Sequence, residues 1–404
     1  MSSTPSPTKI PRRVFLERAV QRSIKRSVQT AALIGATPHA LALALAKGST
    51  DNQAPEFEVV RPRRLRFPED HGAHPGFRTE WWYLTGWLER QDAPPCGVQI
   101  TFFRARTRHP DANPSRFAPT QLLFAHAALA LPEEGRLLHD QRAARSGFGL
   151  AQAAVQDTQV QIGPWKLART DIDQYRAQIR SQAFELALSF KPAREPLLQG
   201  NNGVSAKGPN PEQASFYYSR PQLQVSGEIQ VRSKAQTVTG RAWLDHEWSS
   251  TLLETGAVGW DWVGINLHDG GSLTAFRIRD AHGNSRWQHL AWRNSQGRQE
   301  VLQAGATQST TDVVFEPLRI WRSSRSGADW PVSMRLRLRD QSSKKERILR
   351  LIPLLDDQEV DARASTGGYY WEGAVRLVDG DHSEAPEIGR GYLELTGYAG
   401  PVSL

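Results

Sequence analysis

Sulfur is nearly missing from this chain: its 404 residues include one cysteine and two methionines. A single thiol, Cys96, excludes an intrachain disulfide and a thiolate metal cluster, while leaving an oxidising compartment open. A Gly-x-Ser-x-Gly elbow, a phosphate-cradling loop and a dinucleotide fingerprint are also lacking, so serine-hydrolase, nucleotide and nicotinamide chemistries have no residues to support them. Beyond residue 46 there is no long helical periodicity and no run of membrane-spanning length, so no integral membrane span is expected in the mature chain. Net positive charge is small outside the start of the chain. Residues 1–46 hold seven Lys and Arg against Glu17, or +6 of the formal +8, which leaves 8 − 6 = +2 for everything else. A nucleic-acid partner is therefore not expected.

The basic start runs into an apolar stretch, Val28 to Ala46, that ends in small residues before Lys47, the pattern of an export signal with its cleavage site. Arg12-Arg13-Val14-Phe15-Leu16 resembles the twin-arginine type of signal; the competing reading is a basic amphipathic anchor. Pro38 and His39 interrupt the apolar stretch and argue against a stable span. We expect a leader over 1–46, a linker over 47–62, and a periplasmic or otherwise exported location.

After the linker, period-two alternation dominates. In Gln222–Val231 apolar residues recur at every odd position except Gly227, which sets one face on a core and the other in water. The same rhythm marks 98–102, 184–190, 332–338 and 392–395, with turn signals at Asp269-Gly270-Gly271, His282-Gly283-Asn284 and Asp379-Gly380. These features predict a mainly β protein of two domains, 63–235 and 236–404. Each has the size of a lipocalin-like antiparallel barrel wide enough inside for one small ligand.

What the chain has in excess is indole, with thirteen tryptophans, and the indoles keep company with acids and imidazoles. Residues 67–90 bring together Asp70, His71, His74, Glu80, Trp81, Trp82 and Tyr83; residues 245–262 bring together Asp245, His246, Glu247, Trp248, Trp260, Asp261 and Trp262. We expect the two stretches to build one site. Consecutive aromatics on a strand also serve core packing, and Asp245, His246 and Glu247 also suit a structural ion-pair cluster at a domain seam. His71-x-x-His74 on a loop without a clear third ligand is a weak metal signal, so no metal and no cofactor are assigned. Arg104 and Arg106 are candidates to counter the carboxylates or to form a solvated face.

Four ordered motifs, Pro68–Pro75 with Thr79–Tyr83, Phe216–Pro221, Trp243–Ser249 and Gly259–Trp262, resemble the AttH-domain lipocalin-like proteins related to carotenoid 1,2-hydratases (hydroxyneurosporene synthases). The likeness spans most of 60–400. It implies two tandem calycin-like barrels and either hydration of an acyclic isoprenoid or handling of an apolar or lipid-like ligand, with an envelope transporter as a partner suggested by family context. It also implies a role for the His-x-Trp pair, matched here by His246 and Trp248. The downstream acid of the hydratases aligns only loosely, with a strand over 272–280 whose one acid is Asp280.

Independently of that likeness, adding water to an alkene needs a proton donor, a wall that stabilises a carbocation, and a held water. An acid buried among indoles can remain protonated, and indole faces attract cations. On this reading Asp245, His246, Glu247 and Asp261 are the catalytic candidates, with Asp261 as donor. Asp70, His71, His74, Glu80, Trp81, Tyr83, Trp248, Trp260 and Trp262 are the ligand-binding candidates. Strand geometry also turns the Asp261 side chain away from both neighbouring indoles, which weakens their hold on it.

Overall fold

The computed structural model describes residues 56–251, 253–305, 313–339 and 346–402. The expected leader and the linker through residue 55 lie outside the described residues. What is described is almost entirely antiparallel strand. In chain order these strands are β1 (Thr79–Arg90), β2 (Ala93–Arg106), β3 (Gln121–Ala130), β4 (Leu137–Arg145), β5 (Ala151–Ala153), β6 (Gln159–Ile162), β7 (Trp165–Arg169), β8 (Tyr175–Arg180), β9 (Phe184–Lys191), β10 (Leu197–Leu198), β11 (Val204–Ala206) and β12 (Ala214–Val231). They continue with β13 (Lys234–Ser249), β14 (Ala257–Leu267), β15 (Ser272–Asp280), β16 (Ser285–Arg293), β17 (Gln299–Gly305), β18 (Val313–Arg322), β19 (Asp329–Arg339), β20 (Glu346–Pro353), β21 (Glu359–Asp361), β22 (Tyr369–Asp379) and β23 (Glu387–Leu395). No described helix is long and apolar enough to cross a membrane.

Two sheets result, ordered β4-β3-β2-β1-β13-β12-β9-β8-β7-β6-β5 and β17-β16-β15-β14-β23-β22-β20-β19-β18, and each curls into a lipocalin-like barrel. Every alternating segment read from the sequence lies in a strand. In β12, Leu223, Val225 and Ile229 are buried while Gln224, Ser226 and Glu228 are exposed. The turns behave as expected too: Gly270 and Gly283 adopt φ of 89° and 82°, the left-handed region where a side chain would be strained. The domain change expected between 235 and 236 lies elsewhere. That position falls at the start of β13, which pairs with β12 and β1 in the first sheet, and the chain passes to the second sheet between Ser249 and Ala257.

Each barrel has its own apolar core, one around Trp82, Phe102, Trp165 and Trp248, the other around Trp330, Met334, Trp371 and Leu393. A third cluster, with Tyr83, Trp87, Trp243, Trp262, Phe276 and Tyr392, fills the seam where the outer faces of the barrels meet. Close approach there depends on Gly97, whose absent Cβ would sit 2.5 Å from the Tyr392 hydroxyl and 2.6 Å from Ala374 Cβ. One consequence governs the site: along β1, β13, β14, β22 and β23, alternate residues face a barrel core or the seam.

Candidate functional site

The residues of the two sequence clusters do meet, but on both sides of one sheet. Strand β1 lies beside β13 with Glu80 opposite Trp248, Trp82 opposite His246 and Tyr83 opposite Asp245. Along these two strands even-numbered residues turn into the first barrel and odd-numbered residues into the seam.

Inside the first barrel is a closed polar chain. Glu80 Oε1 receives His74 Nδ1 at 2.7 Å and His246 Nε2 at 2.9 Å, and its Oε2 receives Arg104 Nε at 2.7 Å. His74 also reaches Asp70 through Nε2 at 3.0 Å, and Arg63 grips Asp70 with two bonds of 2.7 and 2.6 Å. Burial alone would neutralise Glu80, but Arg104 and His74 outweigh it and hold its pKa well below the usual value. Burial likewise opposes a charge on His74, yet Glu80 and Asp70 raise its pKa, so both of its N–H groups donate. At the far end, burial keeps His246 neutral and pushes His71 down to about 3. The hydrogen-bond arrangement that fits has His71 Nδ1–H donating to the Tyr218 oxygen and the Tyr218 hydroxyl donating to His246 Nδ1, at 2.7 and 3.1 Å. Indoles close the chain: Trp248 stacks on His74 at 3.7 Å between ring centres, and Trp82 on His246 at 4.7 Å.

Donor atoms of His74, Glu80 and His246 lie within 4.8 Å of one another, the spacing of a metal site. Chemically the set fits a cation poorly, because the Arg104 guanidinium already neutralises Glu80 and both histidine nitrogens are spent on one carboxylate oxygen.

On the other side of the same sheet is a cavity of about 530 Å³ between the barrels, lined by Trp81, Tyr83, Trp260, Trp262, Phe276 and Tyr370 among others. Four carboxyl groups border it: Asp245 and Glu247 from the first barrel, Glu372 and Glu394 from the second. Asp245 takes bonds from Ser219 Oγ at 2.5 Å, Tyr217 Oη at 2.6 Å and Trp243 Nε1 at 2.6 Å. Burial nevertheless outweighs those three donors and pushes its pKa up to about 7. Glu394 is also raised to about 7, by burial first and then by the charges of Asp245 and Glu247 across the seam. Glu372, the cross-strand neighbour of Glu394, is raised well above the carboxylate range by burial and by that neighbour, and bonds the Tyr83 hydroxyl at 2.5 Å. Lys207 faces the cavity as well, 2.8 Å from Glu247 and 4.1 Å above the Phe276 ring centre. His126, bonded to the Tyr370 hydroxyl at 2.5 Å and to Ser365 Oγ at 2.7 Å, is kept neutral by burial.

The sequence candidates therefore divide. Trp81, Tyr83, Asp245, Glu247, Trp260 and Trp262 line the cavity. Asp70, His71, His74, His246 and Trp248 sit in or against the inner chain, and Glu80 borders the cavity while its carboxylate is spent inward. Asp261 does not serve as the cavity's proton donor: it points into the second barrel, fully buried, held by Arg277 Nε at 2.6 Å, Arg279 Nε at 2.9 Å and the Tyr398 hydroxyl. Arg104 counters Glu80 as expected of a counter-ion, whereas Arg106 pairs with exposed Asp111. The second barrel's acids, Glu372 and Glu394, are not among the sequence candidates, although each stands beside aromatics in the chain, the signal that could have found them.

Residues 58–398 match the family model described as AttH-like. The chain belongs to the AttH-like family. Among solved structures it is similar to an AttH-type protein from Nitrosomonas europaea, at 44% identity over 84% of this chain and 99% of that one, with a TM-score of 0.75. More distant likenesses in fold are kievitone hydratase from Nectria haematococca, at 12% identity, 86% and 97% coverage and a TM-score of 0.61, and CghA with Sch210972, at 13%, 80% and 89%, and 0.51. No curated protein matches the chain.

Proposed function

We propose that this AttH-like protein binds an apolar, unsaturated molecule in the inter-barrel cavity and adds water to it by acid catalysis without a cofactor. The observation that carries the reading is the pair Asp245 and Glu394, two carboxyls from different barrels that both titrate near 7 beside indole walls. Interacting acids of this kind lose their protons in separate steps, so near neutrality one is protonated and the other ionised. Protonated Glu394 gives its proton to one alkene carbon. Positive charge develops on the other carbon, facing Trp81, Trp260 and Trp262, whose ring faces attract it. Water attacks that carbon, the Asp245 carboxylate takes the water's proton, and exchange with solvent resets the pair. The fold shared with a protein named as a hydratase supports this reading.

Simple carriage of the same ligand is the second reading, favoured by the mainly apolar wall. A periplasmic or otherwise exported location belongs to the proposal as well, on the strength of Arg12-Arg13 and the apolar run after it; fractionation of expressing cells tests it, and retention in the cytoplasm rejects it. The catalytic test is extraction of apolar molecules that copurify with the protein, followed by incubation of the protein with them, and with an acyclic carotenoid, in ¹⁸O-labelled water. Mass spectrometry should find a product heavier by one labelled water, and Glu394→Gln should reduce its formation at least about a hundredfold while ligand still binds. Unchanged ligand throughout would establish carriage and remove the catalytic reading.

A further inference from the structure

At the end of the first barrel where β2 and β4 run out, two loops carry side chains that a protein in water has no reason to display. Phe117 is 77% exposed, Phe148 56% and Leu150 50%, and the two phenyl rings stack at 5.7 Å, 8° from parallel. The arrangement is held in place: Arg145 donates to the carbonyls of Phe117 at 2.7 Å and Arg116 at 3.0 Å, and its guanidinium lies 4.8 Å from the Phe148 ring centre. The longer of the two loops carries Arg108 and Arg116 at exposed positions and β4 ends in Arg145, and none of the three has a carboxylate partner among the described residues. Asp111, the acid on the longer loop, is taken by Arg106. Such a concentration is unusual here, because the chain outside residues 1–46 carries a formal charge of only +2 and most of its other arginines stand in ion pairs.

We infer that this tip docks on an anionic lipid surface, the phenyl rings and Leu150 entering the headgroup boundary while the guanidiniums meet lipid phosphates. Two separate properties point to the same occupant. Exposed aromatics gain free energy at the boundary between acyl chains and headgroups, and basic residues are attracted to an anionic lipid surface. A protein partner would need an acidic, concave surface to receive both features, whereas an anionic bilayer supplies both without shape matching. Location gives the docking a use. The longer loop leaves β2 directly after residues Thr101, Phe103 and Ala105, all of which line the inter-barrel cavity, so docking would set that cavity beside the phase in which apolar ligands dissolve. The inference itself requires no catalysis and stands if the cavity only carries its ligand.

The test labels Leu150→Cys in the full chain with an environment-sensitive fluorophore; Cys96 is buried and its thiol pKa is raised to about 12, so it resists labelling. Vesicles containing phosphatidylglycerol should shift the emission to the blue, vesicles of phosphatidylcholine alone should not, and half-molar salt should reverse the shift. In the same labelled chain Arg108→Glu with Arg116→Glu, both at exposed positions, should raise the lipid concentration for half-maximal shift at least about tenfold. Because the probe sits on the tip, attachment through the basic residues before position 47 does not mimic the result. No shift with anionic vesicles, an equal shift with neutral ones, or a shift that follows protein concentration without lipid would overturn the inference, the last by showing the tip to be a contact between copies of the chain.

Discussion

Replacing Asp245 by Asn should make the protein more stable in mild alkali and change nothing of the kind in acid. The Asp245 carboxyl is fully buried and titrates near 7 rather than at 3.8. A group whose pKa is raised in the folded state favours folding while it is protonated, and that preference is lost as pH climbs from the unfolded pKa to the folded one. With about 1.4 kcal/mol per unit, the loss from pH 3.8 to 7 totals roughly 4 kcal/mol, of which roughly 1.6 is already gone at pH 5. Asparagine keeps the shape and an acceptor oxygen for Trp243 and Ser219, its amide N–H donates to the Tyr217 hydroxyl oxygen in place of the bond now accepted from it, and it never ionises. The stability of Asp245→Asn relative to the parent should therefore rise by roughly 3 kcal/mol between pH 5 and pH 8. Comparison with the parent is essential, because His71, His126 and His289, each lowered to about 3 by burial, give a slope of opposite sign below pH 6.5. Urea unfolding curves at pH 5, 6, 7 and 8 for both proteins supply the measurement. A difference that stays flat across that range would mean that Asp245 is ionised throughout, and its role as a neutral-pH acid or base in the cavity would go with it.

Asp261→Asn should cost about 3–5 kcal/mol of stability, since Arg277 and Arg279 lose their shared buried counter-charge, while the turnover of protein that remains folded stays near the parent's; loss of turnover with unchanged denaturation midpoints would return Asp261 to the catalytic set. His246→Ala should destabilise the first barrel by about 2–4 kcal/mol, by emptying the space beside Trp82 and removing a donor from Glu80. The pH midpoint of any catalysed reaction should not move, because the titrating acids lie across the sheet; a shifted midpoint would place the imidazole in the reaction.

Much of the fold was readable because alternation reports burial directly, and strands such as β12 kept the two faces their sequence assigned. The site was legible as a collection of residues and illegible as a place. Alternation equates the polar face of a strand with water, and at the seam that equation breaks: Glu394 shares a face with Tyr392, opposite core-facing Leu393 and Leu395, but the face is covered by the other barrel. Only pairing of the sheets reveals that an acid in this position is buried and neutralised rather than solvated. The domain change was misplaced for a related reason. The charged motif of β13 looks like the opening of a second unit, yet its residues complete the first sheet against β1, a contact between strands some 155 residues apart in sequence that no local signal announces.

The division of β13 explains how an imidazole on one face can matter to acids on the other. Asp245 and Glu247 alternate with His246 and Trp248, so any twist or slip of the strand that loosened the inner pair would swing the outer carboxyls out of the cavity. The inner chain opposes such a slip. His246 is tied through Glu80 to Arg104 on β2, and through His74 to Asp70 and Arg63 in the segment before β1, which fastens three neighbouring parts of the barrel to one strand position. A buried ion-pair network is a poor source of net stability compared with apolar packing, but it tolerates only one register of β13, since a shift by one residue would turn His246 to the other face and take a buried donor from Glu80. In the proposed reaction His246 therefore acts by position and not by proton transfer: it fixes where Asp245 points, while burial in the seam decides what Asp245 can do there.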